Sequence, residues 1–474
     1  MSKLIRSLTL VLCLALLASI FTACGTPNAP ANSSGGTQGS GSTAGPVTQD
    51  TPAQNIEITY MNWGNASEQA QTQKTLDGFN ASQKGITAKQ IPIPYDQYVT
   101  KLNTLAASNS LPDTAIMMES QVLKWAENNM LLDVSDMFSG DAAPLDSLAF
   151  RGPDGKAVAY SSANEVLVLY YSKPLFDAAG IAYPPIKAEE AWTWQQFVET
   201  AKKLTKDKNG KTPNDAGFDP KNIVTYGCNV PTTTWEWNVF ALSNEGGIVS
   251  TDGGQLLFGT PETIEAAQAI ADLNLKEHVA PSPAALKTFP TLDTTLLSGQ
   301  VAMAVSGQWE IGTSLANSLD KGLKYGIAVL PKFKKAVTLN TGGPNVIFKS
   351  TKNPEQAKEF MRFFFKEENN LGLIQSGVWM PVSKAWYSDE SKIKIWTDNK
   401  NHPAIAEYKP AVIDYALNNA LQVPWYYCLP YSRMEEIVTS GMDPVWAGTK
   451  TAKDAIEKDL MPKLQPIFDS GKAN

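Results

Sequence analysis

Twelve tryptophans in 474 residues are more than a core of this size requires. Several of them stand beside Gly or Asn at the ends of apolar runs, where a ring can face a cleft. Trp63 lies in Asn-Trp-Gly-Asn, directly after the alternating run 56–61, and Trp309 follows the run 301–305. Trp235 and Trp237 bracket Glu236; in an extended segment their rings share one face, whereas at a helix start they diverge and only one can reach a ligand. An indole is a rigid, amphipathic plane that stacks on the C–H face of a ring, and a few convergent polar groups can then hold the hydroxylated edge. Glu119, following the short apolar run 115–118, is a candidate acceptor for such hydroxyls, and Gly342 and Gly343 could present backbone N–H groups at close approach. Trp125, Trp192, Trp194 and Trp446 fall on helical positions and read as packing. Metal chemistry finds no support: His278 and His402 are the two histidines, and neither has a partner at ligand spacing. No cofactor is implied.

The elements that must position these residues alternate. Run 56–61 reads as a first strand, 67–80 as a helix, and Tyr98, Leu102 and Leu105 as the buried stripe of a second helix. The unbroken apolar run 166–170 is expected of a strand buried on both faces, and 301–305 and 325–330 are further strands. Thr193 caps a helix whose buried stripe is Phe197, Ala201 and Leu204; Thr260-Pro261 and Asn353-Pro354 open two more, the second with Gln356 placed for a capping box. From about 405 onward the chain reads as mostly helical. Strands alternating with helices predict an α/β fold with largely parallel sheets, in which ligands bind beyond the carboxyl ends of the strands.

The N-terminus carries a different chemistry. Two early cations, an apolar stretch 8–20 and Phe21-Thr22-Ala23-Cys24-Gly25 form a secretory leader ending in a lipobox, with the Cys24 thiol as the site of lipid attachment. Phe21 stands where an aliphatic residue is usual. Residues 1–24 are thus expected to be a lipoprotein signal peptide, and 25–54, built of Gly, Ser, Thr, Pro, Asn, Ala and Gln, a flexible tether. The remaining 420 or so residues exceed one core and predict two lobes. The net charge of −7 becomes −9 once Lys3 and Arg6 leave with the leader, and its dispersed acidity argues against nucleic acid and against a polybasic membrane surface. Cys228 and Cys428 could pair or could be small buried hydrophobes.

Several blocks in order resemble the family 1 extracellular solute-binding proteins, the sugar-binding lipoproteins of ABC importers. They include Pro92-Ile93-Pro94-Tyr95-Asp96-Gln97-Tyr98, then Tyr170-Tyr171-Ser172-Lys173-Pro174-Leu175-Phe176 with Ala179-Gly180, and Trp192-Thr193-Trp194-Gln195-Gln196-Phe197. The most specific is Ser298-Gly299-Gln300-Val301-Ala302-Met303, leading to Gly307-Gln308-Trp309; Thr341-Gly342-Gly343 and Gly377-Val378-Trp379-Met380-Pro381 complete the set. Ser172 departs from the family's usual Asn.

The resemblance implies a maltose-binding-protein-like, two-lobed periplasmic-binding-protein fold, with hinge crossings near 163–168, 295–300 and 338–344 and a ligand cleft between the lobes. The first lobe is expected to hold 55–165 plus about 300–340, and the second about 166–299 plus 341–474. It also implies that Glu165, Trp379, Tyr431 and Arg433 line the cleft beside Trp63, Glu119, Trp235, Trp237, Trp309 and Gly343. The function implied is capture of a carbohydrate, an oligosaccharide, by hinge closure and delivery to the transmembrane subunits of an ABC permease. The protein would be a monomer, held to the outer face of the cell membrane through its lipid alone. Two other readings stay open: a secreted glycoside hydrolase using Glu119 and Glu165 as paired carboxylates, and a receptor for a non-sugar solute.

Overall fold

The computed structural model describes residues 55–140 and 143–471; the lipobox Cys24 and the tether lie outside them. Strands in chain order are β1 (Ile56–Asn62), β2 (Ile86–Pro92), β3 (Thr114–Ile116), β4 (Ala149–Arg151), β5 (Ala157–Ser161), β6 (Glu165–Ser172), β7 (Lys206–Asp207), β8 (Ile223–Thr225), β9 (Met303–Gly307), β10 (Tyr325–Ala328), β11 (Thr338–Thr341), β12 (Pro344–Ile347) and β13 (Ala420–Gln422). They form two main sheets. The first has the order β2-β1-β3-β12-β5-β4, and the second β10-β6-β11-β13 with β9 on the other edge of β6. A small β7–β8 hairpin stands apart.

The two sheets use their residues differently. In β6 the side chains alternate between two cores: Val166, Val168 and Tyr170 enter one, while Leu167, Leu169 and Tyr171 enter the other. Such double burial requires an apolar run without polar alternation, as the sequence shows. On the first sheet, Ile58 and Tyr60 of β1 pack with Leu76 and Phe79 of the helix Ala66–Ser82 and with Phe360 and Phe364 of the helix Pro354–Phe364.

Parallel pairing is less extensive than alternation predicts. It joins β1 to β2 and β3, and β11 to β13. By contrast, β6 is antiparallel to β9, β10 and β11, and β12 is antiparallel to β3 and β5. The alternation rule concerns strands joined by one crossover helix, whereas these partners arrive from distant parts of the chain.

The same long-range pairing sets which distant stretches of the chain share a sheet. Residues 303–307 and 325–328 pair with β6 in the second sheet, and 344–347 lie in the middle of the first. An apolar strand reads alike in either sheet; only its partner decides. Between β5 and β6 the chain passes from the first sheet to the second at 162–164, and between β11 and β12 it returns at 342–343. These passages lie against each other: Ser161 Oγ donates to the Gly342 carbonyl at 2.9 Å and Ser162 N to the Gly343 carbonyl at 3.0 Å. Gly342 is required there, with φ of +151° and with any Cβ 2.1 Å from the Ala163 carbonyl oxygen. Residues 295–300 are not a passage between sheets. They stay beside the second sheet: Leu296 shares a core with Val166, Val168 and Tyr170 of β6, and Tyr226 N donates to Gln300 O.

Candidate functional site

Trp63 stands at the end of β1, held edge-on by Tyr98 at 4.9 Å and Tyr95 at 5.9 Å between ring centroids. Just beyond it, Asn65 caps the next helix: its Oδ1 accepts from Ser67 N and Glu68 N, and Glu68 Oε2 accepts from Asn65 N at 2.8 Å. This capping box, which the sequence reading passed over, fixes the loop that carries Trp63. The box expected at Asn353–Gln356 does not form; the Asn353 side chain makes no cap bond, and its N–H donates to Thr351 Oγ1 instead.

Glu119 is the first residue of the helix Glu119–Glu127, where the N-terminal dipole favours a carboxylate. Its Oε1 accepts from Thr341 Oγ1 at 2.8 Å and Gly342 N at 3.3 Å, so the acid is tied directly to a passage between the sheets. Glu165 opens β6 on the other passage. Trp309 follows β9, and its ring lies flat over Gly307, where a Cβ would sit 2.1 Å from ring atoms. Gly343 likewise leaves room for Ile116 and Trp63.

These groups line one cavity of about 680 Å³: Trp63, Glu119, Glu165, Trp235, Trp309, Gly343 and Trp379, joined by Tyr95, Glu68, Thr341 and Trp425. The walls come from the ends of β1, β3, β6, β9 and β11, so both sheets contribute. Five indoles and three carboxylates face this space, and among the described residues no lysine, arginine or histidine lines it. Burial raises the Glu119 carboxyl above the usual range, against the hydrogen bonds from Thr341 and Gly342. Burial, reinforced by the Glu119 and Glu68 charges, raises Glu165 well above it. Trp235 continues the aromatic wall, 6.4 Å from Trp309 and 5.9 Å from Trp425.

Three expected residues lie elsewhere. The segment around Trp235 is a helix, Thr234–Ser243, so the two rings diverge: Trp235 faces the cavity, while Trp237 is fully buried against Phe258 and Trp446. Tyr431 is fully buried and supports Trp425 edge-on at 6.2 Å, without lining the cavity. Arg433 is exposed and away from it. The lining residues that were missed include Tyr95, Glu68 and Trp425. Tyr95, 62% exposed at a helix start, carried the clearest signal, and Asn65-x-x-Glu68 the capping signature. Cys228 and Cys428 are both buried and free.

The model of the bacterial extracellular solute-binding protein family matches residues 63–371, well over half of the chain. The chain belongs to this family. Its members bind solutes rather than transform them. Among curated relatives, the sn-glycerol-3-phosphate-binding periplasmic protein UgpB of Rhizobium meliloti (strain 1021) is 25% identical over 439 residues, covering 84% of this chain and 92% of that one. Among solved structures, the ABC substrate-binding protein Lmo0181 of Listeria monocytogenes in complex with cycloalternan superposes with a TM-score of 0.71 at 22% identity, covering 88% and 98%. The cyclic alpha-maltosyl-1,6-maltose binding protein of Arthrobacter globiformis gives 0.69 at 21%, covering 88% and 100%. The fold is accordingly the two-lobed α/β binding-protein fold, with the aromatic cavity at the passages between its two sheets.

Proposed function

We propose that the protein is the receptor of an ABC importer, capturing a carbohydrate, an oligosaccharide, between its lobes and presenting it to the membrane permease. The observation that carries this reading is the single cavity in which Trp63, Trp235, Trp309, Trp379 and Trp425 face Glu68, Glu119 and Glu165. Flat aromatic walls match the C–H faces of sugar rings, and carboxylates accept their hydroxyl protons. The absence of a lysine or arginine from this lining disfavours a phosphate ester, the ligand class in UgpB's name, because a dianion there would meet three carboxylates and no cation.

The first lobe comprises 55–161 and 344–364, and the second comprises 165–341 and most of 390–471. The passages at 162–164 and 342–343 are the hinge. Ligand docks on the aromatic wall of one lobe, closure adds the groups of the other, and the difference in affinity shifts the population toward the closed form. Lipid on Cys24 and the tether 25–54 keep this receptor, a monomer, beside its permease and raise its effective concentration there.

A thermal-shift and tryptophan-fluorescence screen of mono- and oligosaccharides tests the reading. Some sugar is expected to raise the melting temperature; at a hundredfold excess over Kd the stabilisation is about 2.7 kcal/mol. A melt moved only by glycerol phosphate, polyamines or peptides sinks the assignment.

A further inference from the structure

The cavity between the sheets is not the only space its walls border. A shallower depression of about 610 Å³ shares Trp235 and Trp425 with it, and also touches Thr233, Glu435, Thr439 and Asp443. Thr233 and Asp443 in turn line a third space, of about 960 Å³, which lies wholly among second-lobe elements. Consecutive residues stand back to back between the ends of this path: Trp309 lines the first cavity and Glu310 the third.

We infer that the bound oligosaccharide runs past the tryptophan row Trp309–Trp235–Trp425 and over Thr233 and Asp443, and seats its further units in this third space. The inference rests on the carbohydrate reading above. Three features of the third space fit sugar units. Phe289 offers a half-buried aromatic ring, packed on Tyr226 at 6.0 Å. Ser306, Glu310 and Asp443 offer acceptors and hydroxyls around it. Asn229 adds a further amide side chain to its lining. A ligand ending in the first cavity would leave the path empty.

The test uses the full chain with three series: maltose against maltoheptaose, cellobiose against cellohexaose, and xylobiose against xylohexaose, measured by isothermal titration. In whichever series binds, the long member is expected to bind about tenfold tighter or better, the weight of one good aromatic contact. Phe289→Ala, and separately Asp443→Lys at the exposed neck, are expected to bring the long sugar down to the affinity of the short one while leaving the short one unchanged. Asp443 is exposed, so Asp443→Lys keeps the test valid should Phe289→Ala disturb folding. Equal affinities for short and long sugars, or variants that weaken both alike or neither, overturn the extension and leave the carbohydrate reading standing. A failure of every sugar in all three series overturns both.

Discussion

Trp309 and Trp237 carry the same indole and do opposite work. Trp237 is fully enclosed by Phe258 and Trp446, so Trp237→Ala would leave a core cavity and cost about 3–5 kcal/mol, seen as a large drop in melting temperature. Trp309 is half-buried over Gly307 and faces open space. Trp309→Ala is expected to leave the ligand-free melt nearly unchanged and to weaken sugar binding at least tenfold, about 1.4 kcal/mol; global unfolding would instead make it a packing residue. Glu435 shows the electrostatic side of the same wall. Burial pushes its carboxyl up to about 7, although Trp425 Nε1 donates to it at 2.8 Å. A carboxyl raised in the folded state favours folding below its ordinary value, and that benefit is lost as pH rises through about 7. Glu435→Gln, which can still accept from Trp425, should therefore melt higher than the parent at pH 8, by roughly 1–2 kcal/mol after allowing for the water that reaches the side chain, and equally near pH 4. A difference that persists at pH 4 would point to packing rather than charge.

At the scale of elements, what was legible in the sequence is what depends on neighbours along the chain. The stripe of Phe197, Ala201 and Leu204 under the Thr193 cap, and the doubly apolar β6, follow from local period and are found as read. Trp63 and Trp309 were legible because each lies within two residues of a strand's end, and strand ends face the cavity. Trp425 was not: it lies in Val-Pro-Trp-Tyr-Tyr, and contacts between residues far apart in sequence, Tyr426 stacked on Phe150 at 3.9 Å and Trp425 on Trp235 at 5.9 Å, set it against the cleft. Tyr431 misled for the complementary reason. Its helix, Tyr431–Trp446, turns that position into the core, and no local pattern states which way a helix start will face. The passages between the sheets make their own prediction. Gly342→Ala places a methyl 2.1 Å from the Ala163 carbonyl oxygen at a φ that side chains avoid, and should destabilise by more than about 2 kcal/mol. It should also loosen the Thr341 and Gly342 bonds to Glu119 and so reduce binding in whatever fraction remains folded.

For the whole molecule, hinge closure is measurable as a change in shape. Saturating sugar should lower the radius of gyration in small-angle scattering, and a variant locked to one value with and without ligand would contradict a closing cleft. Cys24→Ser should release the protein into the medium with sugar affinity unchanged; retention at the membrane would remove the lipid anchor from the proposal. One topological feature reaches further than the site. The middle strand of the first sheet, β12, arrives only at 344–347, and β6 waits for β9, β10 and β11, which lie some 130 or more residues later. Neither sheet can close on an N-terminal fragment: a ribosome-bound chain stopped before Pro344 has β3 and β5 without their shared neighbour. Contacts this distant in sequence slow the search for the native state. A protein of an extracellular family has use for such delay, since a chain that cannot finish folding while it is being made remains thin enough to thread a secretion channel.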